Sequence, residues 1–185
     1  GDEGRLPPLL TGVGAKLTDA ALHKVLRGEE AVRPYMTTRM PDFGETHAKF
    51  LNRHFAAADV RANVKPTPRD GEENQVGRNK YGRELMGVKG LNCISCHQLG
   101  GSKSLGIQAM DLAHSPGRLR PEWFRDYLIS PASFRPGTRM PSFWPEGKAV
   151  SKILPGSSIY WSGVARGASN AGACLNDSFI LVCLR

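Results

Sequence analysis

Residues 93–97 read Cys93-Ile94-Ser95-Cys96-His97. Two thiols separated by two residues and followed at once by a histidine form the attachment pattern of a c-type haem. Each thiol can add across one vinyl group of the porphyrin, and the histidine then stands under the iron as its proximal ligand. A lone C-x-x-C also suits a thioredoxin-like redox pair or half of a zinc site. Neither needs a histidine at the fifth position. A zinc site also wants a second ligand pair at a matching spacing, whereas Cys174 and Cys183 stand nine apart in a compositionally odd tail. The pattern predicts one covalent haem c on Cys93 and Cys96, with His97 on the iron, and hence electron transfer.

Working outward, the chain has the size for one domain or two small ones. Its 185 residues are 40% hydrophobic, without an apolar run long enough to cross a membrane. The 21 glycines and 13 prolines predict a loop-rich fold. Small loop-rich domains are hard to stabilise by apolar burial alone, so a covalently held macrocycle would be part of the core as well as of the chemistry. The formal charge of +8 raises a nucleic-acid reading. The Lys and Arg residues are scattered, however, and no zinc finger, RNP-like or helix-turn-helix pattern accompanies them. No nucleic-acid partner is expected; the positive field suits steering of an acidic redox partner.

Residues 6–43 and 109–144 repeat one another. The first copy runs Leu10, Gly14-Ala15-Lys16-Leu17, a helix-like TDAALHKVL, Val32-Arg33-Pro34 and Thr38-Arg39-Met40-Pro41-Asp42-Phe43. The second runs Leu112, Pro116-Gly117-Arg118-Leu119, a helix-like RPEWFRDYL, Phe134-Arg135-Pro136 and Thr138-Arg139-Met140-Pro141-Ser142-Phe143. In the first copy Thr18 or Asp19 can cap a helix, Leu17, Ala21, Leu22, Val25 and Leu26 form its apolar stripe, and Gly28 can end it. In the second, Pro121 suits a first turn, Trp123, Phe124, Tyr127 and Leu128 share a face, and Pro131 stops the helix.

Methionine gives the repeat a chemical role. A thioether is a soft ligand suited to haem iron opposite a histidine. Met140 follows His97 by 43 residues and lies between Pro136 and Pro141, which leave its loop few conformations to lose. Met86, Met110 and His114 are rival ligands, but Met86 precedes the attachment motif on an expected helix and the other two lie outside the repeated loop. Met140 is therefore the expected sixth ligand. Met40 is its counterpart in the first copy, an orphan ligand because no C-x-x-C-H precedes it here.

The run G-R-E-L-M-G-V-K-G-L-N-C-I-S-C-H, the Gly-rich turn after it, Asp111-Leu112 and R-P-G-T-R-M-P-S-F-W-P together resemble the class I c-type cytochrome domain. The chain looks especially like the tandem cytochrome c modules of planctomycete-type bacterial proteins. The resemblance covers most of residues 1–155. It implies a mainly α fold, a small helical domain around a covalent haem with His97 and Met140 as axial ligands, preceded by a partial second module. The expected division is 1–62 as the partial module, 63–77 as a linker with Pro66 and Pro68, 78–156 as the cytochrome c domain and 157–185 as an atypical tail.

Tyr81, Leu85 and Val88, at i, i+4 and i+7, predict an amphipathic helix leading into the motif, with Gly82 leaving room for a neighbour. A closing helix of the first module is expected over residues 45–59, with Phe50, Leu51, Phe55 and Ala58 on one apolar face and His47 and His54 at the surface. After the W-P-E-G-K segment the family pattern calls for another closing helix. Residues from Ser157 onward show no sustained helical period, and Cys174 and Cys183 read as incidental.

With both axial positions filled, the chain reads as an electron carrier rather than an enzyme, a relay module of a larger oxidoreductase. The alternative is a five-coordinate haem enzyme or gas sensor. A thiol-redox or zinc module ranks behind both. The abrupt start at Gly1, without initiator Met or signal peptide, suggests that the first module's attachment motif stood upstream. Attachment of haem to such motifs outside the cytoplasmic membrane implies a periplasmic or envelope location.

Overall fold

The computed structural model describes residues 7–30, 37–59, 83–145 and 150. These residues are mainly helical and contain no strand, and no helix among them is long and apolar enough to cross a membrane. The chain divides into two compact units. The first comprises Gly1–Val64 together with Gly117–Arg120, and the second Lys65–Pro116 with Pro121–Arg185. The segment Gly117–Arg120, which the repeat assigns to the second copy, thus belongs with the first unit. The linker expected over 63–77, the tail over 157–185, and Tyr81, Gly82, Cys174 and Cys183 lie outside the described residues.

In the first unit α1 (Val13–Lys16), α2 (Asp19–Leu26) and α3 (Glu45–Ala58) pack together. Thr18 caps α2, its hydroxyl oxygen accepting from Ala21 N at 3.3 Å, and Gly28 leaves the helix at a φ of 69° that a side chain would strain. Ala21, Leu22 and Leu26 are buried on one face of α2, and Leu17, just before the cap, is buried too. Gly14 of α1 presses its bare backbone on the carbonyl of Phe55 and the amide of Ala56, where a Cβ would collide. Its N–H donates to Asp59 Oδ2 at 2.8 Å.

That docking sets the register of α3 and corrects the apolar face expected for it. The buried residue is Ala48, with Leu51, Phe55 and Ala56 half-buried on the same side, while Phe50 and Ala58 are exposed. Phe50 stacks instead on His54, ring centroids 3.8 Å apart, on the outer surface. Asn52 donates to the Asp19 carbonyl at 2.8 Å, and Arg27 reaches Asp42 at 3.2 Å, so α2 is tied to α3 and to the loop before it.

The clasp from Gly117–Arg120 completes this unit. Leu17 and Leu119 form an antiparallel bridge, with Thr18 N donating to Arg118 O and Arg120 N to Lys16 O, both at 2.9 Å. The Arg120 guanidinium donates to the carbonyls of Gly14 and Leu17 and to Asp19 Oδ1, satisfying acceptors at the end of α1 that the helix leaves unpaired. Burial lowers the pKa of Arg118, and Glu30, 3.1 Å away, opposes that shift.

In the second unit a helical turn at residues 83–86 buries Leu85 and Met86, but the helix does not run on to Val88, which is 62% exposed. The expected i, i+4, i+7 stripe is broken because the chain turns at Gly87. Gly90 packs on the Leu85 carbonyl so closely that no Cβ fits, and Leu91 becomes the next buried residue. After α4 (Ser115–Arg118), whose last two residues belong to the first unit, α5 (Pro121–Ile129) buries Phe124 and Leu128. Trp123 and Tyr127 lie beside them, half-buried. They stack on each other with centroids 4.9 Å apart and meet Phe134 edge-on. The helix ends at Ile129, before Pro131, as expected; the buried Pro131 also opens α6 (Pro131–Phe134), because its fixed φ suits a first helical turn.

Candidate functional site

Asn92 opens the Cys93–His97 segment in the left-handed region, at φ 56° and ψ 35°, which an Asn tolerates better than most residues. The chain then forms a 3-10 turn over Cys93–Ser95, with Cys96 N and His97 N both donating to Cys93 O at 3.1 and 2.9 Å. Cys96 follows the turn directly, three residues after Cys93. Both cysteines are free thiols. Burial pushes the Cys93 thiol up to about 11, with the neighbouring Cys96 adding to the shift.

A loop over residues 98–112 folds back on the turn. Leu105 N donates to Ile94 O, Ala109 N to Cys96 O and Leu112 N to Gln98 O, and His97 bridges Ala109 in parallel register. Gly106 approaches Ser95 O so closely that an added Cβ would stand 3.1 Å from it. Asp111 anchors the loop. Its Oδ1 accepts from Gly100 N and Ala113 N at 3.0 and 2.8 Å, and its Oδ2 from Gly101 N. Burial acts to raise the pKa of Asp111, but these backbone donors and the nearby His114 outweigh it and leave it below the usual carboxylate value.

This folded-back loop fixes the histidine. His97 Nδ1 lies 2.9 Å from the Met110 carbonyl oxygen. A carbonyl can only accept, so the contact selects the tautomer with the proton on Nδ1 and leaves the Nε2 lone pair for a metal. Met110, considered by its sulfur, thus contributes its backbone. The roles of Met110 O and Asp111 were missed from the sequence. A backbone acceptor has no sequence signature, and of the three amides on Asp111 only that of Ala113, two residues on, is a local contact that an Asp is known to make.

The structure gathers Cys93, Cys96 and His97 on one turn. Met140 lies half-buried in its own loop, its N–H donating to Thr138 Oγ1 at 3.2 Å, and Ser142 Oγ ties that loop to Ile129 O at the end of α5. These contacts hold the Met140 loop without joining it to the His97 turn. Of the rivals, Met86 is buried, whereas Met110 and His114 are exposed. Met40 is half-buried in the first unit, its carbonyl beside Gly28. His47 and His54 are exposed, each with Nδ1 on the carbonyl four residues back.

Two features of the turn and its folded-back loop suit a haem. The histidine presents the nitrogen that iron needs. Leu105, Ile107 and Met110 of the folded-back loop are exposed apolar side chains, as suits the rim of a site for an apolar macrocycle. Two buried polar atoms of the second unit, Ser115 Oγ and Trp144 Nε1, have no hydrogen-bond partner in the chain. A closed zinc site, by contrast, finds no group of three or more His, Cys, Asp or Glu side chains among the described residues. Comparison with protein-family models, with curated proteins and with solved structures returned no match.

Proposed function

We propose that the chain is a c-type cytochrome electron-transfer module of the class I, cytochrome c-like type, carrying one haem c on Cys93 and Cys96 with His97 and Met140 as axial ligands. The observation that carries the reading is the His97 Nδ1 contact to the Met110 carbonyl, because an outer partner of this kind orients a ligating imidazole and raises its basicity. The raised Cys93 thiol supports the same choice. A redox-active C-x-x-C depends on a thiol whose pKa is lowered, whereas this one is held protonated by burial.

Bound there, a haem supplies a one-electron iron couple. The chain's own residues fix the imidazole through Met110 and Asp111 and surround the turn with apolar side chains. Met140, between Pro136 and Pro141, offers a soft thioether from a stiff loop. The chain acts as a carrier inside a larger oxidoreductase, outside the cytoplasmic membrane, and its net charge of +8 suits an acidic redox partner.

The test is expression with haem-attachment machinery followed by intact mass and a visible spectrum. One covalent haem and a low-spin spectrum that turns high-spin in Met140→Ala support the carrier. A high-spin native protein that binds carbon monoxide supports the five-coordinate alternative, and a chain without covalent haem overturns both.

A further inference from the structure

Helix α3 has two sides. Ala48, Leu51 and Phe55 lie on the side packed in the first unit, and the opposite side carries His47, Phe50, His54 and Ala57, spaced three, four and three apart and all exposed. That is the spacing by which one helix seats another along a seam. Phe50 is 51% exposed, and Phe43, four residues before His47, is 53% exposed. Two large aromatic side chains on one stripe are more than the single apolar residues that any surface scatters.

The stripe is ordered before anything covers it. His47 Nδ1 lies 3.0 Å from Phe43 O and His54 Nδ1 lies 2.7 Å from Phe50 O, so each imidazole is pinned to the turn before it. The His54 ring also stacks on Phe50. A partner that covers these rings has little side-chain freedom to remove, which suits an aromatic anchor of an interface.

The charges choose the occupant. Glu45 is the one acid of α3, and it stands in the first turn, engaged by Lys49 at 3.0 Å and His23 at 3.1 Å. From Thr46 to Ala58 the exposed side offers Lys49 and Arg53 and no carboxylate. A second copy would bring the same cations to the same stripe, on a chain whose net charge is already +8. A membrane surface calls for a broad apolar face, whereas here Phe50 stands between two histidines. A helix with an apolar seam and acidic flanks matches both the spacing and the charge.

We infer that the exposed side of α3 docks an acidic amphipathic helix of a partner protein, whose apolar seam lies against Phe50 and whose carboxylates meet Arg53. The inference goes beyond the electron-transfer reading and needs no haem.

The probe is a synthetic amphipathic peptide with leucines at i, i+3, i+4 and i+7 and glutamates on both flanks, beside its counterpart with lysine for every glutamate. Each is titrated into the full chain labelled with nitrogen-15. The acidic peptide should shift the amides of residues 43–58, and Phe50→Ala and Arg53→Glu, both at exposed positions and leaving the helical circular dichroism unchanged, should each weaken binding by about tenfold or more. Equal affinity for the lysine counterpart, shifts elsewhere in the chain, or no binding overturns the inference. Self-association lost in Phe50→Ala, or binding to phosphatidylserine vesicles in place of the peptide, also overturns it, in favour of a second copy or a membrane. Intact mass reports the haem separately, so failure of either reading leaves the other standing.

Discussion

Leu17 and Leu119, at the same place in the two copies of the sequence repeat, pair with each other across an antiparallel bridge. Both are buried, and the amides flanking them exchange hydrogen bonds, Thr18 with Arg118 and Arg120 with Lys16. Four residues from the second copy thereby become part of the first unit. Arg120 fastens them by donating to two carbonyls and a carboxylate of that unit.

Arg120→Ala removes donors from the Gly14 and Leu17 carbonyls, which are then left short of partners. We expect a loss of about 2 kcal/mol, since the Asp19 pair is largely exposed and adds little to the backbone bonds. Urea denaturation followed by amide exchange in α1 and α2 checks it. An unchanged midpoint would show that the clasp is held without the Arg120 side chain, by Leu119, the backbone bonds and the Arg118–Glu30 pair.

Cys93 gives a kinetic prediction. With its thiol raised by burial to about 11, little thiolate is present near neutrality in the haem-free protein. Alkylation by iodoacetamide at about pH 8 should be at least tenfold slower at Cys93 than in the urea-unfolded chain, read by peptide mass. Equal rates in the two states would remove the argument against thiol-redox chemistry.

Asp111 gives an acid limit. Its folded pKa is depressed, so its stabilising contribution is complete above the ordinary carboxylate range and is lost as pH falls through the depressed value. Exchange protection of the Gly100, Gly101 and Ala113 amides should fall together on acidification. In Asp111→Asn that step should vanish, the loop being looser at every pH. A wild-type profile that stays flat on acidification would show that the carboxylate does not hold the loop.

Gly90→Ala places a methyl group against the Leu85 carbonyl, where backbone on both sides prevents relief. A loss of about 2–3 kcal/mol is expected for the second unit, visible as a lower thermal midpoint. Gly137→Ala serves as the control for space alone, since a Cβ there meets nothing within 4 Å and only its φ of 78° is strained.

What could be read in advance was what is local. Thr18 and Gly28 bound α2 because a cap and a left-handed exit are chemistry of single residues. The face of α3 could not be read from its own period. Phe50 and Ala58 are as apolar as Phe55 and Ala48, and the bare backbone of Gly14 at Phe55–Ala56 selects between the two sides. The stripe expected to include Val88 is cut short at Gly87 and Gly90. His97 was legible as a ligand, but the group that aims it, a carbonyl thirteen residues away, carries no letter of its own.

The clasp also has a consequence in time. Arg120 lies 103 residues after Leu17, whose carbonyl it binds, and chains are synthesised at about 5–20 residues per second. For several seconds, therefore, the nascent first unit waits with Leu17 uncovered and the Lys16 carbonyl and Thr18 amide unpaired. An edge in that condition can recruit the matching segment of a neighbouring chain instead of its own, so crowded synthesis would favour exchange of Gly117–Arg120 between molecules.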